Sequence, residues 1–233
     1  MSAISNLALR LSKNARLKRA ERFRRWFSVD KQTRILDVGS EEGTNIFAVL
    51  DGLEYDPRNV FIADIDENGV AKGRQKYGFQ GVAIDEMGSL PFESASFDII
   101  YCSSVIEHVT VRHEDIWDYK NGHDFRKLAL EHQRRFADEI KRVGKNYFVQ
   151  TPAAGFPVES HTWLPLAGYL PRSYLLPTMR VANRVWPKAS IPDFNLLNEK
   201  DLTQMFPEAK IRKETFLGLT KSLMAVKSDK RQY

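Results

Sequence analysis

The twelve residues Arg34-Ile35-Leu36-Asp37-Val38-Gly39-Ser40-Glu41-Glu42-Gly43-Thr44-Asn45 constrain the fold more than any other stretch of this chain. Ile35, Leu36 and Val38 suit a buried strand, and Gly39 and Gly43 suit a tight turn. Thr44 to Leu53 can then run as a helix with Ile46, Phe47, Val49, Leu50 and Leu53 on its apolar face. A strand, glycine turn and helix in that order aim backbone N–H groups at whatever lies above the strand ends. A dinucleotide site calls for Gly-x-Gly-x-x-Gly, so that a pyrophosphate can touch the backbone. Here Asp37 precedes the turn and Glu41 lies within it, and carboxylates there repel a pyrophosphate but can receive an ammonium group. An ordinary strand, turn and helix with no ligand is the competing reading of this stretch alone.

The residues that follow shift the balance. Val60-Phe61-Ile62-Ala63-Asp64 reads as a second buried strand ending in a carboxylate, 21 positions after Gly43, where it can accept both hydroxyls of a ribose. Next come Asp85-Glu86-Met87-Gly88-Ser89-Leu90-Pro91-Phe92, then Ser96-Phe97-Asp98-Ile99-Ile100 and Glu107-His108-Val109. Together these segments resemble the class I S-adenosylmethionine-dependent methyltransferases. That family's first motif reads Leu-Asp-Val-Gly-Cys-Gly-x-Gly, and its later pattern reads Asp-x-x-x-Leu-Pro-Phe, Ser-Phe-Asp-x-Val, Glu-His-Val. Glu41 departs from the first motif, standing where the middle glycine lies. The resemblance covers roughly residues 33 to 227. It implies S-adenosyl-L-methionine as cofactor, with contacts at Asp37, Gly39, Ser40, Gly43, Asp64, Ile65, Asp85, Glu86, Met87 and Ser103. In that reading Asp64 holds the ribose, Glu86 or Asp85 accepts the adenine amino group, the Met87 N–H meets the ring, and Ser103 faces the methionine part.

Strands alternating with helices predict a parallel sheet with right-handed crossovers, whose ligands gather at the carboxyl ends of the strands. Asp124 to Arg142 reads as a long helix and Tyr147-Phe148-Val149-Gln150 as the fifth strand, while Arg112 to Gly122 has no clear pattern. Residues 152–192 hold seven of the ten prolines, interleaved with Phe156, Trp163, Tyr169, Tyr174 and Trp186. Prolines forbid a regular central strand, so this stretch is expected as a lid or insertion, with one helix from Pro177 to Trp186. A helix around Glu199 to Phe206 follows. The last two strands, 210–214 and 223–227, are too close for a crossover helix and form an antiparallel hairpin. The expected architecture is a Rossmann-like α/β three-layer sandwich, with a mostly parallel seven-stranded sheet over residues 33–233 behind a basic helical segment at 1–32.

Of the net charge of +5, residues 1–34 carry more than the whole: ten Lys and Arg against Glu21 and Asp30. Leu17, Ala20, Phe23 and Phe27 form an apolar stripe at helical spacing backed by those cations. Such a helix can cover the domain, lie on an anionic membrane through residues 7–27, or approach nucleic acid. The expected partner is a small-molecule or lipid-linked acceptor rather than nucleic acid. The lone Cys102 excludes an intrachain disulfide framework and a multi-cysteine metal site. With no 18-residue apolar run, the expectation is a cytoplasmic protein, or one peripheral on the inner membrane face.

A sulfonium is already a strong methyl donor, so the protein must mainly align the acceptor, and an alcohol acceptor also needs a base. His108, just past the fourth strand, and His161, on the lid, are the candidate bases. There is no Asn/Asp-Pro-Pro-Tyr or Pro-Cys run of the base-modifying enzymes, no phosphate-binding Gly-Lys-Ser/Thr loop and no expected metal. The sequence therefore predicts a methyltransferase acting on a small-molecule, glycan or lipid-linked acceptor at oxygen. The alternative is a methyltransferase-like binding or scaffold protein with weakened cofactor binding.

Overall fold

The computed structural model describes residues 17–157, 169–185 and 190–230. Its centre is a seven-stranded sheet in the order β3-β2-β1-β4-β5-β7-β6. The strands are β1 (Ile35–Val38), β2 (Val60–Asp64), β3 (Gln80–Ala83), β4 (Phe97–Ser103), β5 (Gly144–Pro152), β6 (Lys210–Phe216) and β7 (Leu219–Lys227). The first five pair in parallel, while β7 runs antiparallel to both β5 and β6. The chain builds outward from β1 to β3 and then crosses back to lay β4 on the other side of β1. That reversal makes β1/β4 the topological switch point, where a crevice opens above the strand ends.

Period-two alternation fills both faces of this sheet. Leu36, Val38, Ile100, Cys102, Tyr147 and Val149 point to one side. They meet Phe136, Ala137 and Ile140 of α4 (Gly122–Val143) and Leu202 and Met205 of α6 (Glu199–Met205). Ile35, Ile99, Tyr101 and Phe148 point the other way. There they meet α2 (Thr44–Leu50), α3 (Glu67–Tyr77) and α1, the helix through residues 17–26.

The stripe on α1 covers the domain. Ala20, Phe23 and Phe27 are buried, and Phe23 sits edge-on to Tyr101 and Phe148 at 5.6 and 6.2 Å. Burying Phe23 alone is worth roughly 1.5–3 kcal/mol. Of the expected stripe only Leu17 stays exposed. The apolar side chains proposed for a membrane are thus committed to the core, and residues 7–16 lie outside the described residues.

Three elements differ from expectation. Helix α2 stops at Leu50, short of Leu53. Strand β5 starts at Gly144, directly after α4, because a side chain at Gly144 would come within 2.3 Å of Ile100, so only glycine lets the chain pass straight from helix to strand. Helix α5 spans Arg172–Val185 with Pro177 inside it, starting well before the expected proline. The N–H that Pro177 lacks would have gone to the carbonyl of Ser173 on the exposed side, where water can take its place. The segment 111–121 is irregular, and Val111 and Ile116 anchor it on Phe125 and Ala129 of α4. Among the described residues no helix is long and apolar enough to cross a membrane.

Candidate active site

The turn after β1 is built from left-handed residues. Gly39, Glu41 and Gly43 have φ of 72°, 51° and 79°. A Cβ at Gly39 would lie 2.3 Å from Val105 Cγ2, so the bare backbone forms a close-walled cradle there. Glu41 adopts the conformation that favours glycine, and its N–H donates to Asp64 Oδ2 at 2.6 Å. The carboxylate at the end of β2 thus holds the loop at Glu41. Asp64 Oδ1 accepts from the Asp66 N–H at 2.9 Å, and a carboxylate with two such bonds still has lone pairs for two hydroxyls.

A cavity of about 270 Å³ opens beside this turn. Four of the five parallel strand ends contribute: Gly39 and Glu41 after β1, Asp64 and Ile65 at and after β2, Asp85 and Glu86 after β3, and Ser104, Val105 and His108 after β4. Val111, His113, Ile116, Phe136 of α4 and Asp193 close it. The volume lies just below the lower end of the usual range of ligand pockets. Five carboxylates line it and no Lys or Arg does. Such a lining favours a cationic ligand, an ammonium or a sulfonium, over a polyphosphate.

Of the residues expected to bind cofactor, the structure brings Gly39, Asp64, Ile65, Asp85 and Glu86 to the cavity wall, together with the expected base His108. Five others stand apart from the wall. Asp37 is buried beneath the turn, where burial and the neighbouring Asp64 charge push its carboxyl up to about 8 and Oδ2 has no partner. Ser40 is buried, and Gly43 packs toward Ile62 and Phe79. The Met87 N–H donates to Asp85 Oδ1 at 2.9 Å, closing a local turn rather than facing a ring. Ser103 is replaced at the wall by Ser104. As the last residue of β4, Ser103 bonds Gln150 of β5 at 2.7 Å, and the chain then turns through φ 61° at Ser104 into the cavity. His161 lies outside the described residues.

Asp193 is the part of the site with no sequence forecast. Its Oδ2 lies 3.0 Å from His108 Nδ1 and 3.8 Å from His113 Nε2, while His113 Nδ1 is 3.6 Å from Glu86 Oε1. A buried polar zipper sets this placement. The Asn195 N–H donates to the Glu107 carbonyl at 2.8 Å, Thr110 Oγ1 donates to the Asp193 carbonyl at 2.7 Å, and Gln133 of α4 bonds the carbonyls of Ile106 and Asn195. Arg172, at the start of α5, fixes the other side by donating to the carbonyls of Pro192, Tyr119 and Ile116. Its guanidinium lies 3.5 Å from the centre of the Phe125 ring, and burial lowers its pKa to about 10. The only signals in the sequence were a lone acid after Pro192 and a lone Arg after Pro171. Among the described residues no group of His, Cys, Asp and Glu could hold a metal ion.

Residues 36–120 match the methyltransferase domain family. No curated protein matches the chain. Among solved structures, the complex between the Haloferax volcanii Trm112 methyltransferase activator and the putative methyltransferase contains a chain of similar fold. Its TM-score is 0.54 at 13% identity, over 92% of this chain and 87% of that one. A S-adenosylmethionine-dependent methyltransferase from Methanosarcina mazei aligns with a TM-score of 0.52 at 13% identity, over 88% of this chain and 94% of the other. At such identities the likeness is one of fold, the α/β fold with a mostly parallel seven-stranded sheet.

Proposed function

We propose that this chain, which carries a class I S-adenosylmethionine-dependent methyltransferase domain, methylates an oxygen of a small-molecule, glycan or lipid-linked acceptor, with His108 as the base. The observation that carries this reading is the 3.0 Å contact between His108 Nδ1 and Asp193 Oδ2 in the wall of the acidic cavity. A carboxylate at Nδ1 fixes the proton on that nitrogen and leaves Nε2 as the basic one. S-adenosylmethionine, when bound, supplies a sulfonium methyl that needs no further activation.

The chain's own residues supply the rest. Asp64 is the acceptor for a ribose diol, the acidic lining favours the cationic methionine portion, and the bare Gly39 backbone admits it closely. Glu41's glycine-like φ supports a binding-competent turn. His108 takes the acceptor proton, and Asp193 steadies the imidazolium that results. General-base catalysis of this kind contributes about 10²–10⁴ in rate.

The test is methyl transfer from labelled S-adenosylmethionine to a panel of hydroxylated glycans, lipids and quinols. His108→Gln should lower kcat by about 10²–10⁴ while leaving S-adenosylhomocysteine affinity unchanged in calorimetry. Asp64→Ala should weaken that affinity about tenfold or more, roughly 1.4 kcal/mol. Full turnover by His108→Gln would overturn the base assignment.

A further inference from the structure

The β6–β7 hairpin ends in a two-residue turn, Leu217-Gly218, that closes the Phe216–Leu219 pair. Both turn residues have positive φ, 50° and 79°, the geometry for which Asn-Gly is the favoured pair. A leucine there pays for a left-handed backbone, and folding returns nothing: Leu217 is 87% exposed. Phe216 and Leu219 on either side are also exposed. An apolar side chain kept at the position least suited to it points to a partner outside the chain.

The tip is part of a larger patch. The Phe216 ring meets Phe156 at 6.5 Å, and the Tyr169 hydroxyl bonds the carbonyl of Gly155. Tyr169 and Tyr174, at the start of α5, are both more than half exposed. The three described stretches beside the tip, 152–157, 169–185 and 215–222, contain no Asp or Glu, whereas they carry Arg180, Arg184 and Lys221. The patch also has a direction. Ser222 of β7 lies opposite Pro152 at the end of β5, so the tip extends beyond the same sheet edge at which the cavity opens.

We infer that this face docks on an anionic lipid bilayer, with Leu217 and its neighbours entering the interface and the cations meeting the headgroups. Apolar insertion together with flanking cations is the chemistry of peripheral membrane binding. The surface is separate from α1, whose stripe the core consumes. This inference does not depend on which atom is methylated.

The experiment is co-sedimentation of the full chain with phosphatidylcholine vesicles, with and without phosphatidylglycerol. Binding is expected only with phosphatidylglycerol, and it should weaken as salt is raised. Leu217→Asp, which the turn tolerates, should lower partitioning about tenfold, whereas Leu17→Asp on the exposed part of α1 should leave it unchanged. No binding to phosphatidylglycerol vesicles, or binding that Leu217→Asp does not reduce, would overturn the inference. So would a self-association in solution that Leu217→Asp abolishes while vesicle binding is absent.

Discussion

Gly39 and Gly52 have nearly the same backbone, φ 72° and 77°, yet different surroundings. A Cβ at Gly52 meets nothing within 4 Å, whereas one at Gly39 would lie 2.3 and 2.6 Å from the two Val105 methyls. Gly52→Ala therefore meets only the left-handed strain, about 1 kcal/mol net. Gly39→Ala adds overpacking of about 1–3 kcal/mol, since Val105 is partly buried against the core and cannot swing freely. In a chain of this size 1 kcal/mol corresponds to about 2–4 °C in Tm. Gly52→Ala should thus melt a few degrees low and Gly39→Ala roughly 5–15 °C low. Val105→Ala removes both crowding methyls and leaves only its Cβ, 3.0 Å from the new methyl. The double variant Gly39→Ala/Val105→Ala should then be more stable than the sum of the singles predicts, by about 1–3 kcal/mol. Thermal and urea unfolding of the four variants measures this directly. Equal losses at Gly39 and Gly52, or strict additivity in the double variant, would refute the close approach of turn and β4 loop on which the cavity wall depends.

Two further outcomes follow from buried polar groups. Asp37, raised to about 8 against an ordinary 3.8, holds its proton in the folded state over a range in which the unfolded chain has lost it, so stability falls as pH rises from about 4 to about 8. Asp37→Asn removes that dependence, and its Tm advantage over the wild type should grow from pH 5 to pH 8; a difference independent of pH would refute the assignment. Arg172→Met keeps the volume but strands three carbonyls that the guanidinium now satisfies, at a cost of about 3 kcal/mol or more. An unchanged melting curve would show that water replaces those bonds freely.

Signals carried by neighbouring residues were legible in the sequence. Strands β1, β2 and β4 announce themselves through short apolar runs ending at the Gly39 turn, Asp64 and Ser103, and the β6–β7 hairpin through a connection too short for a helix. Four strand ends converge on one edge because parallel topology requires it, which is why Asp64, Asp85, Glu86 and His108 reach a common cavity. Single-residue phase was less legible. Ser103 and Ser104 differ only in which of them ends the strand, and a φ of 61° at Ser104 decides which one meets the cavity. At Met87 the local bond of its N–H to Asp85, two residues earlier, is a detail that no sequence pattern announces. The α1 stripe has the same period whether it meets lipid or sheet, and only the facing Tyr101 and Phe148 settle its side.

Asp193 marks a different boundary of legibility, and it bears on how the site is divided. It lies 85 positions after His108, outside the span that matches the family, and no periodicity or motif links the two. Their contact exists because the chain returns after α5 and zips along residues 106–110 through Asn195, Gln133 and Thr110. The cavity thus has two sources. The glycine turn and the ends of β1 to β4 come from the segment that matches the family, while the carboxylate partner of His108 comes from just beyond the proline-rich segment that follows. Under the proposed function, substitutions within 169–193 should alter His108 through Asp193 while the turn and Asp64 keep their geometry. The prediction is that S-adenosylhomocysteine affinity follows substitutions in the turn and at Asp64, and that turnover follows those at Asp193.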